Sequence, residues 1–112
     1  MPLNNEEQTA LEQIFARAKD QFTIRKIILF GSKARNDYNA DSDVDILLLV
    51  DDQIDDNARW RLSDIVTEVE WKTEIYISIR IYNYIDWETE NEDVVFLPFK
   101  DHVIRDGEWL EI

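Results

Sequence analysis

Residues Phe30 to Leu49 read FGSKARNDYNADSDVDILLL, and their reading decides the fold. One apolar run ends at Phe30, the chain turns at Gly31-Ser32, and a second apolar run opens with Asp43-Val44-Asp45. Strand side chains alternate, so Asp43 and Asp45 point to one face, with Val44 and Ile46 on the other. Two carboxylates roughly 7 Å apart along a strand repel unless a positive charge lies between them. No Lys or Arg on that strand supplies one. A divalent cation resolves the conflict, because Mg²⁺ takes carboxylate oxygens together with substrate phosphates. The plainer alternative leaves both aspartates in solvent at the start of a strand.

Gly31-Ser32 weighs against that alternative. A glycine at the end of a buried strand lets the backbone turn sharply and approach a ligand closely. The serine that follows offers an N–H and a hydroxyl to a phosphate oxygen. If the two strands are neighbours, the turn lies beside the carboxylates. Phosphate on one side and metal on the other suits phosphoryl or nucleotidyl transfer.

Outward from this stretch the pattern is regular. Residues from about Glu6 to Phe22 recur with helical spacing at Leu11, Ile14, Phe15, Ala18 and Phe22, with Asn5 as N-cap and Gln8 as its capping-box partner. Thr23 to Phe30 is β-branched and reads as a strand. Asp43 to Val50 reads as a strand buried on both faces, hence central. A second helix runs from about Ile54 to Lys72 on an Ala58, Leu62, Ile65, Val66, Val69 stripe. Thr73 to Tyr82 alternates, with Ile75, Ile77, Ile79 and Ile81 on one face and Glu74, Tyr76, Ser78 and Arg80 on the other. Beyond it, a helix limited by Pro98 packs Phe96, Leu97, Phe99 and Val103, Asp106-Gly107 turns, and EWLEI forms a short edge strand or tail. The order predicts one domain over residues 1–112, a small α/β or α+β sheet with helices packed on one side.

Composition narrows the class. The 112 residues are 45% apolar with no cysteine, which fits a single packed core in a reducing compartment. MPLNNEEQ has neither a basic region nor an apolar run, so a signal peptide is not expected, and neither is a membrane. The expected location is cytoplasmic. Twelve basic residues against twenty-five acidic give a net charge of −13, which disfavours direct nucleic acid binding and either favours cations or a basic protein partner or serves solubility alone. On the second helix, Trp60 and Trp71 lie about three turns apart, opposite the apolar stripe, and mark a partner interface unless other segments cover them. His102, the one histidine, has no evident catalytic partner and reads as a surface or helix-end residue. Tyr38, beside the candidate site, reads as a loop aromatic covering the core, with stacking on a base as the alternative.

GSKARNDYNADSDVD resembles the signature of the polymerase-β-like nucleotidyltransferase superfamily: Gly-Ser, ten residues, then Asp-x-Asp. The chain is similar in size to the superfamily's minimal nucleotidyltransferases (MNT), and the likeness runs from the first helix through Tyr82. It implies that Asp43 and Asp45 hold the metals, a pair of Mg²⁺ ions, with a third acid from a later strand. Glu74 is the choice for that acid, with Glu68 and Glu70 as competitors. Gly31 and Ser32 would cradle a nucleoside triphosphate, ATP by default. Arg35 would neutralise phosphate, with Lys33 as the alternative, or else form a surface pair with Asp37 or Asp41. Asn36 stands where many relatives have glycine.

The resemblance further implies a protein adenylyltransferase that moves AMP to a tyrosine hydroxyl of a HEPN ribonuclease toxin, as the antitoxin of the pair. The alternatives are an acidic antitoxin that acts by binding alone, or a transferase acting on a small molecule or an RNA end.

Overall fold

The computed structural model describes residues 3–35 and 43–111. The elements run α1 (Asn5–Ala18), β1 (Ile24–Phe30), α2 (Gly31–Arg35), β2 (Val44–Val50), α3 (Asp56–Thr73), β3 (Ile77–Asn83), α4 (Tyr84–Glu88), α5 (Leu97–Asp106) and β4 (Glu108–Trp109). They build a mixed four-stranded sheet in the order β3-β2-β1-β4. β1 pairs antiparallel with β2 and β4, while β2 and β3 are parallel, because α3 carries the chain back to the starting end. The α+β class and the central place of β2 match the sequence pattern.

Helices cover both faces of the sheet, not one. On the first face, Ala10, Leu11, Ile14 and Phe15 of α1 and Leu62, Ile65 and Val69 of α3 pack on Val44, Ile46, Leu48 and Val50. Each fully buried side chain of this kind contributes about 1.5–3 kcal/mol. On the second face, Leu47 and Leu49 lie under Trp87 of α4, with Val95 and with Val103 and Phe99 of α5. The sequence reading did not anticipate α4. Its five residues are too few to show a helical period, and Asn83 caps it by accepting from the Asp86 N–H at 3.0 Å.

Other expectations shift slightly. The N-cap of α1 is Asn4 rather than Asn5, with Glu7 closing the capping box. Phe96 is exposed instead of packed, while Leu97 and Phe99 are partly buried and Val103 fully. Pro98 falls in the first turn of α5, where its missing N–H costs nothing. The short β4 pairs with β1, so EWLEI does contribute an edge strand. No helix among the described residues is long and apolar enough to cross a membrane.

Candidate active site

Three strand ends meet where β1 finishes and β2 and β3 begin. Phe30 pairs with Asp45, and Asp45 pairs with Ser78. Asp45 is half-buried and Asp43, one step outside β2, is exposed. Alternation sets both carboxylates on the face that carries Leu47 and Leu49 further along.

Gly31 locks the turn onto this pair. Its φ is +74°, which a residue with a side chain adopts only at a cost. A Cβ there would lie 2.4 Å from Asp45 Oδ2, so the backbone fits against the carboxylate only because the side chain is a hydrogen. The Gly-Ser turn and the aspartate pair, ten residues apart in sequence, are therefore one site. Ser32 and Arg35 lie on α2, and their side chains are outside the described residues, as are Asn36, Asp37, Tyr38 and Asp41.

Lys33 proves to be structural. It is 3% exposed, and its ammonium sits 2.9 Å from Glu7 Oε2. The other oxygen of Glu7 accepts the Asn4 N–H at 3.0 Å. One buried carboxylate thus closes the cap of α1 and fixes α2 against it, which turns Lys33 away from the phosphate role considered for it.

Glu74 does not lie on a strand. It is the left-handed C-cap of α3, with φ 59°, three residues before β3 begins, and it is exposed. Together with Glu70, Thr67, Trp71 and Tyr76 it lines a hollow that includes neither aspartate. Glu70 accepts the Ile77 N–H at 3.1 Å. Glu68 is bound to Arg17 at 2.8 Å and to Lys72 at 3.4 Å, and the Arg17 hydrogen bond above all holds its carboxyl below the usual range. Among the described residues, no three acidic or histidine side chains gather where they could share a metal ion. The residue of β3 in register with Asp45 is Ser78.

One residue of this face emerges only from the pairing. Arg80 is in register with Leu47, one step along the Asp45 face, with its guanidinium 4.4 Å from the centre of the Phe99 ring. Alternation already grouped Arg80 with Ser78, but the parallel register was needed to bring both beside Asp45.

Comparison with known proteins agrees with this geometry. The sequence model of the family described as "Nucleotidyltransferase domain" matches residues 11–102, which include the turn, the aspartates and β3. The chain belongs to that family. It is a nucleotidyltransferase by family, as the Gly-Ser and Asp-x-Asp spacing led us to expect. Two relatives from Methanocaldococcus jannaschii, provisionally named protein adenylyltransferases, resemble it. One is 39% identical over 87 residues, 68% of this chain and 87% of its own length. The other is 48% identical over 52 residues, 46% of this chain, and there the match spans about half of the relative's length, 52%.

Solved structures share the nucleotidyltransferase fold. A toxin–antitoxin complex with AMP-PNP superposes with a TM-score of 0.63 at 21% identity, over 96% of this chain and 73% of that one. A complex of a tri-AMPylated Shewanella oneidensis HEPN toxin with its MNT antitoxin gives 0.59 at 20% identity, over 93% and 71%.

Proposed function

We propose that the chain transfers AMP from ATP to a protein hydroxyl, that of a tyrosine on a HEPN-type toxin, and thereby acts as an antitoxin. The observation that carries this is the seating of Gly31 against the Asp45 carboxylate, which joins a phosphate-binding turn to a metal-binding pair. The names of the Methanocaldococcus relatives and the toxin–antitoxin complexes that share the fold support the choice of acceptor.

The donor set fits Mg²⁺ delivered with its nucleotide. Two carboxylates, with no third acid gathered beside them among the described residues, suit an ion whose shell is completed by phosphate oxygens and water. Asp43 and Asp45 would hold up to two such ions, which when bound neutralise triphosphate charge and acidify the attacking hydroxyl. Gly31 and Ser32 bring backbone N–H groups to the triphosphate, and Arg35 adds positive charge. The acceptor oxygen forms a bond to the α-phosphorus, the bond from that phosphorus to the bridging oxygen breaks, and pyrophosphate leaves. The hydroxyl proton passes to solvent. Ser78, small and in register with Asp45, leaves room for the acceptor side chain.

Trp60 and Trp71 are 69% and 83% exposed on α3 and serve as partner contacts in this reading. The setting is the cytoplasm, with no direct role for nucleic acid.

Incubation with Mg²⁺ and ATP labelled at the α-phosphate, with and without the protein encoded by the adjacent gene, tests the proposal. Label on that protein, absent with γ-labelled ATP and lost in the Asp43→Asn/Asp45→Asn variant, is the expected result. A tight inhibitory complex without label would replace transfer by occlusion.

A further inference from the structure

β3 ends the sheet on one side, and no described strand lies beyond it. The Tyr76 carbonyl accepts the Val44 N–H at 3.2 Å, so it points into the sheet. In a parallel ladder alternate residues face the same neighbour, so Ser78, Arg80 and Tyr82 also bond inward. Ile77, Ile79 and Ile81 therefore turn their N–H and C=O groups outward. The Ile77 N–H is taken by Glu70, a side chain standing where a neighbouring strand's carbonyl would be. No described strand pairs with the rest.

The outward groups open into a groove of about 570 Å³ between β3 and α3. Arg59, Ser63 and Thr67 of α3 form one wall, while Arg80 and Val94 lie toward the other. At the site end the groove meets Ile77 and Glu70, beside the Ser78–Asp45 pair. Trp71 and Tyr76 line the adjoining hollow. In a chain of net charge −13 the groove carries two arginines, and Arg80 makes no ion pair among the described residues.

We propose that the acceptor protein docks by adding an extended segment to the free edge of β3, in this groove, so that a neighbouring side chain reaches across Ser78 to Asp43 and Asp45. The inference rests on the transfer reading for its purpose and on the edge for its geometry. Outward N–H and C=O groups at a two-residue spacing call for a polypeptide backbone as occupant, not a helix or a small molecule. Arg80 selects a segment with a carboxylate near the acceptor residue. A second copy of this chain is a poorer occupant, because two surfaces of strong negative charge would meet.

Hydrogen exchange at single amides tests the docking apart from the chemistry. In the complex with the product of the adjacent gene, the Ile79 and Ile81 amides should exchange about tenfold more slowly or better, while Ile77, already held by Glu70, changes little. Ile79→Pro removes an outward N–H and no ladder bond. Relative to Ile79→Ala, which controls for the lost side chain, it should reduce labelling of the partner about tenfold and leave AMP-PNP binding by the free chain unchanged.

Amides that exchange as fast in the complex as in the free chain would overturn the docking, and labelling that persists would leave transfer standing. Slowed amides without label would support the docking and sink transfer. Protection already present in a free dimer would assign the edge to self-association and overturn the proposal. If Ile79→Pro does not fold, the wild-type exchange data decide.

Discussion

The two faces of β2 serve different ends. Val44, Ile46, Leu48 and Val50 face α1 and α3 in an aliphatic layer from which solvent is shut out along the whole strand. The opposite face is sealed at one end only, where Leu47 and Leu49 lie under Trp87, Val95 and Val103. Its other end bears Asp43, exposed, and Asp45, half-buried, with Gly31 pressed against the Asp45 carboxylate and Arg80 one step away. One strand and the residue before it thus hold both the most protected packing and the acidic end. The closed face supplies the stability that lets two like charges stand side by side.

Separating the two faces by mutation gives the largest contrast. Asp43→Asn with Asp45→Asn should abolish label transfer while the chain stays folded with little change in melting temperature; a marked loss of melting temperature would make the pair structural. Glu7→Gln should cost about 3–5 kcal/mol in urea unfolding, since it removes the negative charge that faces the buried Lys33 ammonium at 2.9 Å. A cost under about 1 kcal/mol would mean that water reaches the pair.

Leu48→Ala on the closed face should destabilise by about 2–5 kcal/mol with the transfer rate of the folded fraction unchanged. Gly31→Ala should show the reverse weighting, about 1–2 kcal/mol of backbone strain but about 10²-fold in transfer, because the Asp45 carboxylate must move. Equal losses in both measurements for either variant would erase the distinction between the faces.

The smallest effect belongs to Glu68. Its carboxyl is lowered by Arg17 and then Lys72, so its contribution is present above the ordinary carboxylate range and fades as pH falls through the lowered value. Glu68→Gln should therefore alter the pH dependence of unfolding only on the acid side, and leave transfer untouched.

Local spacing made most of the fold legible. The aliphatic stripe of α3, the run of β2 and the alternation of β3 are each periodic over several residues; α3 and β2 formed close to the expected bounds, while β3 begins at Ile77 rather than Thr73. α4 and the exact cap of α1 escaped because they depend on one or two hydrogen bonds rather than on a period. In the site, Asp43 and Asp45 and the Gly31 turn were readable because the conflict they pose lies within a single short stretch. Glu74 was misplaced because alternation continues visually through Thr73, while α3 extends to that residue and ends in a left-handed cap.

By itself the sequence determined an α+β fold class, a central strand with two aspartates at its start, one just before it and one within it, and a glycine turn ahead of them. Those features follow from side-chain chemistry and local period, which need no distant neighbour. Only the tertiary structure decided which residues face the aspartates. A parallel register set by the length and packing of α3 places Ser78 beside Asp45 and Arg80 one step further along, and Lys33 is drawn inward by a glutamate twenty-six positions earlier. Register and burial arise from contacts between elements, and no property of either partner alone specifies them.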